Sequence, residues 1–134
     1  MVVHVHKAQL DYFRHLARNS PKEILAYLMG TMTESMCRVS YFAYPALNRQ
    51  SSETVRACEK SSKEIIERAE EKGLVLLGDV HSHPQWWPVK SKADHKAQLT
   101  ECSRLCGVCA VMDRKTKVYF WVAESSLPAT LLYY

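Results

Sequence analysis

The sequence lacks the segments that would anchor it in a membrane or direct it out of the cell. Nowhere do about eighteen or more apolar residues follow one another, so no stretch is long enough to cross a bilayer as a helix. The opening residues, MVVHVHK, have neither the apolar core nor the small-residue cleavage site of a signal peptide. We therefore expect a protein of the cytoplasm with no membrane partner.

A dense basic patch is also missing. The chain carries 18 Lys and Arg against 14 Asp and Glu, for a net charge of +4, and the positive residues are scattered. No recognised nucleic-acid-binding module accompanies them. We therefore expect no nucleic-acid partner.

Cysteines are few, and their number is odd. Five are present, which in a chain without a signal peptide favours reduced thiols over disulfides. Cys102, Cys106 and Cys109 are close enough in sequence to raise the alternative of a second metal site, but no fourth ligand with zinc-site spacing stands nearby. Buried thiols are the favoured interpretation because cysteine is among the most buried residue types.

The remaining composition is that of one soluble globular domain covering residues 1–134. Hydrophobic residues make up 47% of the chain and charged residues 24%. The length suits a single core, and the sequence contains no linker, internal repeat or low-complexity segment.

Hydrophobic periodicity predicts a mixed order of strands and helices. Strands are predicted at residues 2–6, 23–29, 35–46, 74–80, 107–112 and 117–123, and helices at 7–19, 53–72 and 91–105. The strands at 23–29 and 35–46 should form a hairpin, Ser51 or Ser52 should cap the second helix, and residues 127–134 are ambiguous. This order predicts an α/β or α+β fold, with a mixed β-sheet flanked by helices.

The segment after the strand at 74–80 has the spacing of a metal site. His81 and His83 are two residues apart, so on extended backbone their rings point to the same side. Asp94 stands in the first turn of the helix predicted to start at Ser91, where its carboxylate can meet the two imidazoles. Two imidazoles and a carboxylate suit zinc and leave its fourth position open, as in catalytic sites. The spacing predicts one Zn²⁺ per chain and metal-assisted hydrolysis.

Hydrolysis at such a site also needs a base, and Glu23 is the best candidate. It opens an otherwise apolar predicted strand, where a carboxylate is unexpected unless something holds it. The alternative is a solvated strand-end glutamate beside Lys22. Trp86 and Trp87 follow the histidines closely and either line a substrate groove or pack the loop onto the domain.

The complete pattern resembles the JAMM motif of the MPN-plus zinc metalloprotease family. In this sequence the motif reads Glu23, then His81-Ser82-His83-Pro84, then Ser91-Lys92-Ala93-Asp94. The resemblance covers nearly the whole chain, and its short spacings are closest to minimal prokaryotic or phage members. It implies the MPN fold, which is similar to cytidine deaminase.

The resemblance also implies a mechanism. His81, His83 and Asp94 would hold the zinc, Glu23 would act as general base and then general acid, and Ser91 would donate a hydrogen bond to the oxyanion. The substrates would be peptide or isopeptide bonds of a protein, often at the C-terminal tail of a ubiquitin-like or sulfur-carrier protein.

Two other functions compete with this one. A catalytically silent MPN-type binding or scaffold module is the first alternative, although it predicts a broken ligand set and all five motif positions are intact. A zinc deaminase is the second, but the H-x-E and P-C-x-x-C patterns of deaminases do not occur here.

Overall fold

The computed structural model describes residues 1–52, 54–84, 105–111, 116–122 and 127–134. In these residues the chain forms, in order, β1 (Val2–Val5), α1 (Lys7–Arg18), β2 (Leu25–Met32), β3 (Met36–Ala43), β4 (Leu47–Gln50), β5 (Val55–Ala57), α2 (Glu59–Glu71), β6 (Val75–His83), β7 (Leu105–Ala110), β8 (Lys117–Val122) and β9 (Thr130–Tyr133). No helix in these ranges is long and apolar enough to cross a membrane.

A mixed sheet forms the centre of the molecule. Its seven strands lie in the order β8-β7-β6-β2-β3-β1-β9, while β4 and β5 form a separate two-stranded ladder. β6 pairs parallel with β7, and β1 pairs parallel with both β3 and β9. β2 pairs antiparallel with β3 and β6, so the predicted hairpin and the predicted mixed sheet are confirmed.

Each face of the sheet is covered by one of the two described helices. Side chains alternate along a strand, and in β2 Ala26 and Leu28 enter one core whereas Tyr27 and Met29 enter another. α1 contributes Leu10, Phe13 and Ala17 to the first core, and α2 contributes Ala69 to the second. Burying both faces explains why β2 reads as a nearly continuous apolar run.

Close backbone approach requires glycine at Gly78. A Cβ atom placed there would lie 2.0 Å from the carbonyl oxygen of Leu105 in β7. Gly78 pairs with Leu28 on its other side, next to an irregularity in the β2–β6 register. The residue therefore sets how closely β6 approaches β7, three positions before His81.

The prediction for residues 48–72 is wrong in its first half. A helix was predicted from residue 53, capped by Ser51 or Ser52, but β4 and β5 pair in this region, with Gln50 opposite Val55 and Leu47 opposite Ala57. α2 starts only at Glu59, and its N-cap residue is Cys58 rather than Ser51 or Ser52. Apolar residues at 55 and 58 fit a helical spacing as well as a short strand, and pairing with β4 decides between them.

Two further segments, residues 105–106 and 127–134, differ from their predicted structure. Leu105, the last residue of the predicted third helix, and Cys106, which follows it, belong to β7, because they pair with Gly78 and Asp79 of β6. The ambiguous segment at 127–134 contains β9, which pairs with β1 and forms one edge of the sheet. Residues 91–104, which carry the rest of the predicted third helix, lie outside the described residues.

Candidate metal centre

His81 and His83 lie inside β6, which extends three residues past the strand end predicted at residue 80. His81 pairs with Leu25 of β2 and with Val108 of β7, and His83 pairs with Ala110. Pairing keeps the backbone extended, so the two rings point to the same face of the sheet. Their Nε2 atoms lie 3.0 Å apart, and both side chains are buried.

Glu23 precedes β2, and its backbone is held by Gln50, the last residue of β4, and by Ser51. Its backbone N–H donates to the carbonyl oxygen of Ser51 at 2.7 Å, and its own carbonyl oxygen accepts a hydrogen bond from Nε2 of Gln50 at 3.0 Å. The side chain is 3% exposed. It is therefore not the solvated strand-end glutamate that the sequence pattern left open.

Ser82 fastens the segment carrying Glu23 to the strand carrying the histidines. Its buried hydroxyl accepts a hydrogen bond from the N–H of Ile24 at 2.8 Å, and its own N–H donates to the Ile24 carbonyl oxygen at 3.0 Å. The residue before Ile24 is Glu23, and the residues beside Ser82 are the two histidines. These two bonds therefore bring all three side chains to one place.

The three side chains converge closely enough to share an ion. One carboxylate oxygen of Glu23 and one ring nitrogen from each of His81 and His83 all lie within 4.8 Å of one another. Two nitrogens bound tetrahedrally to zinc at its usual bond length would be separated by about 3.3 Å. The observed 3.0 Å is close to that value, so the pair fits a zinc ion with little movement.

Burial makes this cluster favourable for a cation. A buried carboxylate is costly unless hydrogen bonds or a positive charge offset the loss of water. Two imidazoles beside the Glu23 carboxylate can supply this offset by sharing a proton or by holding a divalent ion with it. The nitrogen and oxygen donors are those that zinc prefers.

A second group of potential ligands shares His81. A carboxylate oxygen of Asp79, a ring nitrogen of His81 and Sγ of Cys106 also lie within 4.8 Å of one another. Asp79 pairs directly with Cys106 across β6 and β7. Sequence reasoning missed this group. Asp79 could have been found from its position two residues before His81, but Cys106 lay outside the predicted strands, so nothing in the sequence placed it opposite Asp79.

Cys106 and Cys109 do not form a joint site. They are three positions apart in β7, so their side chains point to opposite faces, and Sγ of Cys109 donates to the Thr116 carbonyl oxygen at 3.6 Å. Both are buried and outside any disulfide, as the favoured interpretation held. Cys102 lies outside the described residues.

The other predicted site residues also lie outside the described residues: Ser91, Asp94, Trp86 and Trp87. Their roles stay predictions.

An apolar cavity of about 420 Å³ lies beside the segment that follows Glu23. Ile24, Leu25, Tyr44 and Leu47 are among the residues that line it. Burial, with a smaller contribution from Tyr12, raises the pKa of Tyr44 above its ordinary value. The Tyr44 phenol therefore stays neutral at physiological pH.

Sequence comparison places the chain in a family. The profile of the prokaryotic homologs of the JAB domain, Prok-JAB, matches residues 6–124. The chain belongs to this family. A search of curated protein sequences finds no match to this chain.

Solved structures agree on the fold. A protein from Desulfitobacterium hafniense, determined in solution, superposes with a TM-score of 0.82 at 17% identity, covering 99% of this chain and 93% of its own. A JAB1/MPN domain protein from Archaeoglobus fulgidus gives a TM-score of 0.63 at 15% identity, with 99% and 98% covered.

A third neighbour is described as JAMM, a metalloprotease-like zinc site in the proteasome and signalosome. It gives a TM-score of 0.58 at 12% identity and covers 100% of this chain and 99% of its own. At these identities the likeness concerns the fold. The expectation of an MPN fold is confirmed.

Proposed function

We propose that the protein is a zinc-dependent metallopeptidase or isopeptidase that hydrolyses peptide or isopeptide bonds. The observation that carries the proposal is the convergence of Glu23, His81 and His83 in one buried cluster with the nitrogen spacing of a zinc site. Membership of the JAB family and likeness to a structure with a metalloprotease-like zinc site support it.

In this proposal each motif residue has one task. His81, His83 and Asp94 hold a single zinc ion, which when bound lowers the pKa of a water molecule to about 7 and polarises the carbonyl to be cleaved. Glu23 accepts a proton from the attacking water and then donates it to the leaving amine. Ser91 donates a hydrogen bond to the oxygen on which negative charge develops.

The proposed substrate is a protein tail that enters the site in extended form. The C-terminal tail of a ubiquitin-like or sulfur-carrier protein fits this description, because it is a flexible chain end that reaches a buried centre. Trp86 and Trp87, which follow His83 closely in the sequence, would contact it.

The test combines zinc analysis with a cleavage assay on the purified chain. We expect about one zinc per chain, cleavage of ubiquitin-like tails, and loss of cleavage after chelation with recovery on zinc addition. In Glu23→Gln we expect bound zinc but a kcat lower by roughly 10²–10⁴-fold, because the proton acceptor is gone. Glu67→Gln, an exposed carboxylate on α2, is the matched control and should leave kcat unchanged.

The outcomes separate the competing functions. Cleavage that survives complete zinc removal contradicts the metal mechanism, and an undiminished rate in Glu23→Gln removes Glu23 from its role. A chain that binds no zinc and cleaves no tail is the catalytically silent module instead.

A further inference from the structure

Asp79 stands on the side of His81 that faces away from His83. The three residues alternate along β6, so their side chains share one face of the sheet, with His81 in the middle. Nε2 of His81 is directed at Nε2 of His83, 3.0 Å away. A carboxylate oxygen of Asp79 lies within 4.8 Å of a ring nitrogen of His81.

An imidazole that offers Nε2 as a ligand carries its proton on Nδ1. In metal sites this Nδ1–H usually donates to a carboxylate, a carbonyl or a water, which fixes both the tautomer and the orientation of the ring. His81 is 5% exposed, so its Nδ1–H needs an acceptor within the protein. Among the described residues, the partly buried Asp79 has a carboxylate oxygen within 4.8 Å of a ring nitrogen of His81 and can accept this hydrogen bond.

We propose that Asp79 is a positioning residue that accepts a hydrogen bond from Nδ1–H of His81 and thereby holds Nε2 toward His83 and Glu23. The inference rests on the proposed function, because it assigns Asp79 a role at the same zinc site. It predicts a defined pair of tautomers in the zinc-free protein: His81 carries its proton on Nδ1, and His83 donates its Nε2–H to His81.

Cys106 offers a competing arrangement, which the same experiment decides. With Asp79 and His81 its thiol could ligate a second metal ion on the Nδ1 side of the ring, since a thiolate is a good zinc ligand. In the positioning arrangement Cys106 only packs beside the carboxylate. Substitution by serine, which preserves the size of the side chain, separates these roles.

The test measures zinc affinity by competition with a chelator and histidine tautomers by nitrogen NMR. We expect Asp79→Asn and Asp79→Ala to weaken zinc binding by about 10–100-fold, as removal of the hydrogen-bond partner of a zinc-ligating histidine typically does. Asp79→Glu, which keeps the carboxylate, should recover part of the affinity. Asp11→Asn on α1 is the matched control and should bind zinc like the wild type, as should Cys106→Ser with one zinc per chain.

The tautomer measurement uses the wild-type chain and needs no variant to fold. A proton on Nε2 rather than Nδ1 of zinc-free His81 overturns the inference, and so do an unchanged zinc affinity in the Asp79 variants and two zinc ions per wild-type chain. A wild type that binds no zinc defeats the proposed function, yet the Nδ1–H hydrogen bond of His81 can still be tested in that protein.

Discussion

Ser82 illustrates how one small side chain assembles the candidate centre. It stands between the two histidines but points to the opposite face of β6, where it is completely buried. Its partner Ile24 is 58 positions away in the chain. No local pattern reveals such a contact, so the sequence motif contained Ser82 without indicating what it binds.

Ser82→Ala should lower both stability and turnover. The substitution leaves the N–H of the half-buried Ile24 without its acceptor, which costs about 1 kcal/mol, and frees Glu23 to move from its position. We expect a lower denaturation midpoint and a lower kcat in the assay for tail cleavage. Ser82→Thr, which keeps the hydroxyl, is the control. Equal losses in both variants would show that packing, and not the hydrogen bond, matters at this position.

At the scale of the element, β6 organises the site because it pairs on both sides. β2 brings the segment of Glu23 alongside it, and β7 brings Cys106 opposite Asp79. The parallel β6–β7 pairing depends on the absence of a side chain at Gly78. The same strand thus carries the ligands and fixes their distance from neighbouring strands.

Gly78→Ala should destabilise the fold through this contact. The new Cβ would overlap the carbonyl oxygen of Leu105, which belongs to the backbone and can move only if the strands separate. We expect a loss of about 1–3 kcal/mol in the free energy of unfolding, measured by urea denaturation. Val75→Thr, an exposed position on the same strand, should change stability by no more than about 0.5 kcal/mol. A Gly78→Ala protein as stable as the wild type would contradict the close-approach argument.

At the scale of the whole molecule, a buried ligand cluster couples metal binding to folding. Glu23 and the histidines come from segments far apart in sequence, so the cluster exists only in the folded chain. An ion that binds the folded state and not the unfolded chain stabilises the fold by mass action.

Zinc should therefore raise the melting temperature. At free zinc about 100 times the dissociation constant the gain is about 2.7 kcal/mol, equivalent to roughly 10 °C for a domain of this size. Thermal unfolding followed by circular dichroism measures it. His81→Ala, or chelation of the wild type, should abolish the shift, whereas His15→Ala on α1 should preserve it. An equal zinc effect in His81→Ala would place the ion elsewhere.

Short-range patterns in the sequence were enough to predict several strands and the type of sheet. The projection of His81 and His83 to one side, the β2–β3 hairpin and the mixed sheet all depend on the period of side chains along a local segment, which the sequence contains directly, although the predicted strand ended before His81. Only the tertiary structure decided what strand pairing brings together: Glu23 with the histidines, Asp79 with Cys106, and residues 47–57 as a two-stranded ladder. The physical reason is that an apolar residue satisfies several local conformations equally well, and the choice among them depends on contacts with segments distant in sequence.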